Sequence, residues 1–412
     1  PQTLSKMQGD FAIGHTRYST TGSPTARNAQ PFMIDTQYGT LALAHNGNLL
    51  NAAELRSKLL HQGVGLSSTS DTEVMVMTLA CSKGNTWFER LRDAIQHWVG
   101  AYSMVMLTRN QVFAVRDPWG FRPLSVGMLP NGGGHVAASE YGALRTLGCE
   151  VSREVLPGEI VSLSDNALTV YQALQPQPKS ALCTFEHIYF SRPDNTWGGR
   201  NVHLVRQQLG AFLAEQEPVE ADVIIPIPDS SIPAAIGYAA ASGIPYNDGF
   251  IKNRYIGRTF IEPTDSLRKQ GVALKYNVIM ENVLNKRVVM VDDSIVRGNT
   301  TGPLIQLLKN AGAREVHVRI TCPPILHPCF MGVDMGSYDE LIAANRSIPQ
   351  MCAEFGADSL AYLSLDRMMA AIGSDHGYCN ACFTGQYPLP VPEGITKTGF
   401  EIPLEINQGA RS

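Results

Sequence analysis

The chain has 412 residues, enough for two or three domains that each bury a core of their own. Its 44% hydrophobic and 17% charged residues are typical of an ordinary globular protein, which excludes a disordered or fibrous chain. The formal net charge of -4 argues against nucleic acid as a partner, because proteins that neutralise many phosphates usually carry a basic excess.

Membrane and secretory classes are also disfavoured. No apolar run approaches the roughly 20 residues that span a bilayer, and no signal-peptide pattern opens the chain. Cysteine is too sparse for a disulfide scaffold, which fits a reducing compartment. We therefore expect no membrane partner and a cytoplasmic protein, or one of an organelle stroma if the source is a plant.

Up to about residue 171 short apolar runs alternate with Gly, Pro and Asn turns, which is typical of strands. The predicted strands are 39–44, 102–107, 112–115, 135–138, 159–163 and 168–171. Segments 52–61 and 71–80 have helical periodicity instead. The QPQPK stretch at 175–179 predicts a domain boundary, since each proline removes a backbone donor and stiffens the chain.

Beyond that boundary, strands alternate with helices. Segments 222–227 and 287–291 are typical of buried strands, and helices are predicted at 233–241 and 303–309. This alternation predicts a parallel sheet of α/β type. The expected domains are 1–175 and 180–395, followed by a tail at 396–412.

Three motifs near the start together describe a site for a free amino acid. They are GHTRYSTTG at 14–22, AHNGNL at 44–49 and STSDTE at 68–73. Arg17 offers a planar fork for an α-carboxylate, and Asp71 can pair with an α-ammonium. Asn46 and Gly47, expected on a turn after a strand, can point an amide and a backbone N–H at one oxygen, as in an oxyanion hole. Each motif alone is more often ordinary turn chemistry.

A phosphate site is predicted at KRVVMVDDSIVRGNTT, residues 286–301, where a hydrophobic strand passes through two acids and a small-residue loop into a helix. Loop amides and the helix N-terminus aim positive dipole at one point. The residues expected to line it are Ser294, Arg297, Gly298, Asn299, Thr300 and Thr301. Asp292 and Asp293 would repel phosphate unless they bind hydroxyl groups or lie near a cation, and ribose with magnesium satisfies both. A solvated Asp-Asp turn is the alternative.

Two other segments fit a small polyanion. Residues 252–275 are basic and interrupted by glycine, although a solvated charged loop would look the same. Pro228, Asp229 and Ser230 place an acid and a hydroxyl at another strand end, and a helix cap at Asp229 or Ser231 explains them equally well.

Four cysteines could hold a metal. Cys379 and Cys382 form a C-x-x-C pair, and Cys183 and Cys329 lie upstream. Four thiolates can bind zinc or an iron-sulfur cluster, and buried structural thiols are the alternative.

The 286–301 pattern resembles the signature of type I phosphoribosyltransferases. The three N-terminal motifs, with DPWGFRPL at 117–124, resemble the glutaminase domain of class II, N-terminal-nucleophile amidotransferases. Together they resemble the glutamine phosphoribosylpyrophosphate amidotransferase family over nearly the whole chain. The family implies an N-terminal Ntn-hydrolase αββα sandwich followed by a type I phosphoribosyltransferase α/β domain. It also implies that ammonia from glutamine attacks C1 of 5-phosphoribosyl-1-pyrophosphate (PRPP), giving phosphoribosylamine, glutamate and pyrophosphate, the first committed step of purine synthesis.

The resemblance also implies roles for particular residues. Arg17 and Asp71 would hold glutamine, and Asn46 and Gly47 would stabilise the oxyanion. Segment 252–275 would be a flexible loop that closes over the pyrophosphate. The implied ligands of Mg²⁺ are Ser230, Asp292 and Asp293, and those of a [4Fe-4S] cluster are Cys183, Cys329, Cys379 and Cys382. The family commonly has Thr where this chain has Asn299.

Members of that family attack glutamine with an N-terminal Cys, whereas this chain starts with Pro1. We expect that N-terminal sequence is missing, and that the chain as given uses at most free ammonia. Feedback by purine nucleotides and a homodimer or homotetramer are further expectations. A phosphoribosyltransferase that salvages bases and a non-catalytic PRPP sensor are the alternatives.

Overall fold

The computed structural model describes residues 8–17, 22–164, 167–253, 275–373, 377–394 and 399. The chain divides into two compact units. Unit 1 contains the described residues up to Leu182, together with Cys329–Gly336 and those from Tyr387 onward, and unit 2 contains Cys183–Pro328 and Ser337–Gln386. The predicted domain ranges are continuous in sequence, whereas these compact units interleave, because two later segments return to unit 1.

Unit 1 contains two antiparallel sheets. The strands are β1 (Phe32–Thr36), β2 (Gly39–Leu49), β3 (Gly100–Leu107), β4 (Val112–Arg116), β5 (Ser125–Met128), β6 (His135–Ala138), β7 (Val151–Glu154), β8 (Glu159–Ser164) and β9 (Ala167–Gln172). The helices are α1 (Ala52–His61), α2 (Asp71–Cys81), α3 (Trp87–Ala94) and α4 (Tyr141–Thr146). The larger sheet has the order β1-β2-β3-β4-β8-β9, and the smaller one β6-β5-β7.

Strand β4 shows how these layers stack. Phe113 and Val115 point into a core shared with helices α1 to α3, while Val112 and Ala114 point into a second core shared with strand β5 and its neighbours. Successive side chains of a strand face opposite sides, so β4 is buried on both faces. Helix α4 packs on the smaller sheet. The order helix, sheet, sheet, helix confirms the predicted αββα class.

Helix α1 has the predicted bounds, and helix α2 ends one residue later than predicted. The strand predicted at 39–44 instead continues to Leu49. Asn46 and Gly47 therefore lie within strand β2, and their predicted placement on a turn was wrong. The polar sequence HNGN at residues 45–48 looks like a turn, so the strand was predicted to end too early. In the structure, the residues from Ala42 to Leu49 pair in register with β3.

From Leu182 onward the strands are β10 (Leu182–Cys183), β11 (Thr196–Trp197), β12 (Arg200–Asn201), β13 (Val223–Pro226), β14 (Phe250–Lys252), β15 (Tyr276–Val278), β16 (Arg287–Asp292), β17 (Glu315–Ile320), β18 (Ser359–Tyr362) and β19 (Tyr378–Cys379). The helices are α5 (Val202–Gln216), α6 (Ile232–Ser242), α7 (Met280–Val283), α8 (Thr301–Asn310), α9 (Ile342–Asn345), α10 (Ile348–Phe355), α11 (Leu365–Ile372) and α12 (Ala381–Thr384). A parallel sheet with the order β13-β16-β17-β18 confirms the α/β class predicted for this half.

The order of this sheet places two strand ends side by side. Strands β13 and β16 pair in parallel with Pro226 opposite Val291, so the residues that follow each strand meet at one edge. Strands β17 and β18 and helix α5 were not predicted. Among the described residues, no helix is long and apolar enough to cross a membrane.

Candidate active sites

The acids predicted to bind ribose and metal lie at the carboxyl end of strand β16. Asp293 is buried, and Asp292 is half-buried. The Asp292 carboxylate accepts hydrogen bonds from the Asp293 N–H at 2.9 Å and the Ser231 hydroxyl at 3.2 Å. The Asp293 carboxylate accepts from the hydroxyls of Ser230 and Ser294, both at 2.6 Å. The ends of β13 and β16 thus form one polar cluster.

The electrostatics of this cluster favour a cation. Burial raises the pKa of Asp292 well above its ordinary value, and the neighbouring Asp293 raises it further. Burial also raises the pKa of Asp293, although the hydroxyls of Ser230 and Ser294 oppose the shift. Two desolvated carboxylates with adjacent hydroxyls are hard oxygen ligands, which fit Mg²⁺ bound through one or two carboxylates and substrate oxygens.

Ser231 is a site residue that the sequence did not reveal. The pattern suggested a helix cap there, but Ser231 makes no side-chain capping bond to helix α6. Its hydroxyl instead donates to Asp292. The neighbouring Asp229 accepts a hydrogen bond from Lys252 at the end of strand β14.

The connection from β16 to helix α8 contains the residues predicted to hold phosphate. Gly298 has a φ of +74°, and a Cβ there would lie 2.8 Å from Ile342 Cδ1 and 2.9 Å from Phe355 Cε1. Only glycine fits this position without displacement of its neighbours. Thr300 precedes the helix but makes no side-chain capping bond, so its hydroxyl oxygen does not occupy the first-turn N–H groups. Such N–H groups favour an anion.

The side chains of this loop differ in their surroundings. Arg297 donates a hydrogen bond to Glu340 Oε2 at 3.0 Å. The positive charge that was predicted to bind phosphate is therefore partly neutralised by the Glu340 carboxylate. Asn299 and Thr300 are half-buried, whereas Thr301 is buried. Most of the predicted closing loop, residues 254–274 of 252–275, lies outside the described residues.

The predicted amino-acid site gathers around the start of helix α2. Asp71, its first residue, is 2% exposed and accepts a hydrogen bond from the Leu49 N–H at 3.1 Å. His45 on strand β2 lies with Nε2 3.7 Å from Asp71 Oδ2 and Nδ1 3.0 Å from the Thr72 hydroxyl. Strand β2 therefore fixes the carboxylate predicted to bind an α-ammonium.

Arg17 is brought to the same region. Its guanidinium donates to the carbonyls of Ser23 at 3.1 Å and Gly22 at 3.2 Å. Burial lowers the pKa of Arg17, and attraction to Asp71 partly opposes that change. The structure thus places both predicted charges of the amino-acid clamp within electrostatic reach of each other.

Glu73 holds the loop that leads to Asp71. Its carboxylate accepts four hydrogen bonds of 2.7 Å, from the backbone N–H and hydroxyl of both Ser67 and Ser68. Burial alone would raise the pKa of Glu73, but these four bonds together lower it below its ordinary value. The STSDTE motif at 68–73 predicted a role for Asp71, but it gave no indication of the role of Glu73.

The residues of the predicted oxyanion hole lie near the carboxyl end of strand β2. The Asn46 side chain is half-buried and makes no hydrogen bond to any residue that the structure describes. Gly47 has a φ of +151°, and a Cβ there would lie only 2.0 Å from the Ala101 carbonyl oxygen. Position 47 must therefore be glycine.

The four predicted cluster cysteines are distributed over both units. Cys183 and Cys379 lie on the paired short strands β10 and β19, where the Thr184 N–H donates to the Cys379 carbonyl at 3.2 Å. Cys382 is buried in unit 2, and Cys329 belongs to unit 1. Within the described part of the chain, no three His, Cys, Asp or Glu side chains form a group that could hold a metal ion. The cluster remains a prediction.

Comparison with known proteins connects the two sites. Residues 15–146 match a family model described as a glutamine amidotransferase domain. The amidophosphoribosyltransferase of Synechococcus elongatus is 44% identical over 404 residues, covering 97% of this chain and 82% of that relative. The amidophosphoribosyltransferase of Archaeoglobus fulgidus is 47% identical over 394 residues, covering 94% and 85% respectively.

A solved structure is similar over the same length. It is the glutamine PRPP amidotransferase from B. subtilis complexed with ADP and GMP. The TM-score is 0.87 at 44% identity, and the match covers 95% of this chain and 86% of that one. One relationship therefore spans both units.

Proposed function

The chain belongs to the amidophosphoribosyltransferase family, and from that premise we propose that it transfers glutamine-derived ammonia to C1 of PRPP. The products would be 5-phosphoribosylamine, glutamate and pyrophosphate, in the first committed step of purine synthesis. The observation that carries the proposal is the acid pair of half-buried Asp292 and buried Asp293, at the point where strand β16 leads into the connection to helix α8. This pair offers hydroxyl and cation contacts next to an anion site.

In the first half-reaction, the Arg17 guanidinium binds the glutamine α-carboxylate, and Asp71 binds its α-ammonium. Burial lowers the pKa of His15 to about 4, so this nearby imidazole is neutral near pH 7 and does not repel the ammonium. The Asn46 amide and the Gly47 N–H donate to the oxygen that becomes negative when the substrate amide is attacked. In the family that the sequence resembles, the attacking group is the thiol of an N-terminal Cys.

In the second half-reaction, Asp292 and Asp293 hold the ribose hydroxyls, and the loop from Ser294 to helix α8 holds the 5-phosphate. Magnesium bound by Ser230 and the two acids would neutralise charge on the departing pyrophosphate. Positive charge develops at C1 as that group leaves, so the acids also stabilise the ring electrostatically.

Ammonia-dependent synthesis by this chain tests the second half directly. With Mg²⁺, PRPP and ammonium, the chain should form phosphoribosylamine, and Asp292→Asn should lower the rate by about a hundredfold or more. Asp222→Asn is the matched control, because Asp222 lies just before strand β13 and binds Arg287. Equal rates for Asp292→Asn and the unsubstituted chain would contradict the assignment.

The same assay separates the two alternative functions. A salvage phosphoribosyltransferase would consume PRPP with a purine or pyrimidine base and ignore ammonium. A PRPP sensor would bind PRPP in calorimetry yet form no product with either acceptor. The charges of Arg17 and Asp71 favour a glutamine-using enzyme over both, because neither alternative needs an amino-acid clamp.

We also propose a [4Fe-4S] cluster on Cys183, Cys329, Cys379 and Cys382, supported by the paired strands that carry two of these thiols. Anaerobic purification should give about four iron and four sulfide per chain. Cys379→Ser should lose most of both, whereas the exposed Cys81→Ser should keep them. Zinc, or no metal, in the unsubstituted protein would reject this assignment.

Regulation and assembly follow as further parts of the proposal. The B. subtilis structure carries ADP and GMP, so we propose that purine nucleotides inhibit this chain. Titration of ADP and GMP against the ammonia-dependent rate tests this idea. We further propose that the chain forms a homodimer or homotetramer, which light scattering can measure. We also propose a cytoplasmic location, which fluorescence microscopy can test.

A further inference from the structure

A late segment of the chain, Cys329–Gly336, packs within unit 1 although the residues on either side of it belong to unit 2. The segment is internally braced. The Cys329 N–H donates to the Met335 carbonyl at 2.7 Å, and the Met331 N–H donates to Cys329 Sγ at 3.4 Å. Met331 and Met335 are both buried. This loop therefore has a defined shape that it can impose on its neighbours.

Two contacts join this segment to strand β2. The Asn48 side-chain amide donates to the Phe330 carbonyl at 3.0 Å, across 282 positions of sequence. Gly332 has a φ of +100°, and a Cβ there would lie 2.8 Å from Gly47 Cα and 2.9 Å from the Gly47 carbonyl carbon. The backbone of the segment thus approaches the Gly47 backbone so closely that there is no room for a side chain at position 332.

Gly47 is consequently confined by two separate pieces of backbone. Ala101 on strand β3 excludes a side chain at position 47, and Gly332 lies against the Gly47 Cα and carbonyl carbon. An oxyanion donor is effective when it is fixed before the reaction starts, because it then needs no reorganisation as charge develops. Small displacements of such donors are costly to the rate.

We propose that Gly332 is a positioning residue for the oxyanion hole. It lets Cys329–Gly336 hold Gly47 in the orientation that stabilises the tetrahedral intermediate. The inference rests on the proposed roles of Asn46 and Gly47, and it adds a residue that touches neither glutamine nor the reacting atoms. A methyl group at position 332 displaces Gly47, while Arg17 and Asp71 keep their own contacts.

The test uses protein made from its complete gene, and it compares Gly332→Ala with Gly39→Ala. Gly39 begins the same strand and has a similar φ of +104°, but a Cβ there meets nothing within 4 Å. Both variants place an L side chain at a similar positive φ, and only Gly332→Ala places its Cβ against Gly47. Glutamine-dependent and ammonia-dependent rates are measured for both, with the glutamine KM.

Gly332→Ala should lower the glutamine-dependent kcat by about tenfold or more. Its glutamine KM and its ammonia-dependent rate should stay within about twofold of the unsubstituted protein, since the substrate clamp and unit 2 are untouched. Gly39→Ala should change none of the three. A merely structural defect would lower both rates together, and that result, or equal glutamine-dependent kcat values for the two variants, would overturn the inference.

A second variant tests the same inference if Gly332→Ala folds poorly. Asn48→Leu removes the hydrogen bond to Phe330 with little change in size, and it should lower the same kcat by a smaller factor. An unchanged kcat in Asn48→Leu would count against the inference.

Asn46→Ala separates the inference from its premise, because loss of a direct donor should lower the glutamine-dependent kcat about a hundredfold. If Asn46→Ala is active and Gly332→Ala is not, the oxyanion assignment has failed, whereas the reverse result rejects only the role of Gly332.

Discussion

The proposed phosphate site and the proposed amino-acid site are built in opposite ways. The first is nearly continuous in sequence, from Asp292 at the end of strand β16 to Thr301 at the start of helix α8. The second is assembled from separated segments that carry Arg17, Gly47, Asp71 and Gly332.

The two sites also balance charge differently. Asp292 and Asp293 lie together with hydroxyl donors, and burial raises the pKa of both carboxyl groups. Glu73 in the amino-acid site has four protein donors, which hold its pKa below the ordinary value. The phosphate site therefore leaves charge for a ligand to neutralise, whereas much of the amino-acid site is satisfied internally before any ligand binds.

The largest effect is expected from a side chain in the phosphate loop. Gly298→Ala combines an unfavourable φ with contacts below 3.0 Å, and it should weaken PRPP binding by about a hundredfold, measured by calorimetry. Gly302→Ala is the control, because a Cβ there comes no closer than 3.7 Å to another residue. Equal affinities for the two variants would show that the loop is not the phosphate site.

A medium effect is expected where the amino-acid site is held by its own hydrogen bonds. Glu73→Gln replaces a charged acceptor of four bonds, so it should lower the free energy of unfolding by about 2 kcal/mol. Exposed Glu54→Gln is the control and should change it little. Because the folded pKa of Glu73 is depressed, the difference should be fully present above its unfolded pKa and shrink as the pH falls through the folded pKa. Chemical denaturation at several pH values measures this difference.

The smallest effect concerns the acid stability of unit 2. Burial lowers the pKa of His187 from 6.5 to about 4, so the folded state keeps the imidazole neutral while the unfolded state takes up a proton. Stability from this residue is present above pH 6.5 and is lost progressively toward pH 4. Between pH 7 and pH 5.5 the loss should be about 1 kcal/mol.

His187→Gln should flatten that part of the pH profile, measured by thermal unfolding. The exposed His61→Gln variant in unit 1 controls for the loss of one histidine. An identical slope in His187→Gln and the unsubstituted chain would mean that another group causes the acid sensitivity.

The contrast between a site that is continuous in sequence and one assembled from distant segments also explains which features could be predicted from the sequence. Helix α1 and the strand-loop-helix after Val288 were predicted because their apolar spacing and their punctuation by Gly and Pro are local. Fold class and family were likewise confirmed. Asn46 and Gly47 were wrongly placed on a turn, because polar residues within a strand look like its end. Their role in an oxyanion hole stays a prediction.

Other features depend on partners that no local pattern identifies. The Ser231 hydroxyl reaches Asp292 only because strands β13 and β16 are neighbours in the sheet. The approach of Gly332 to Gly47 joins distant parts of the chain, so nothing near either glycine indicates it. Long-range packing of this kind is set by the whole fold rather than by residue spacing.

The return of Cys329–Gly336 to unit 1 also affects how the protein is made. Synthesis proceeds from the N-terminus, and domains usually fold as they leave the ribosome. A nascent chain that has reached only Leu182 lacks the loop that braces Gly47. Unit 1 therefore completes its packing only after most of unit 2 has been translated, and a shorter polypeptide that stops at Leu182 would not contain the finished pocket.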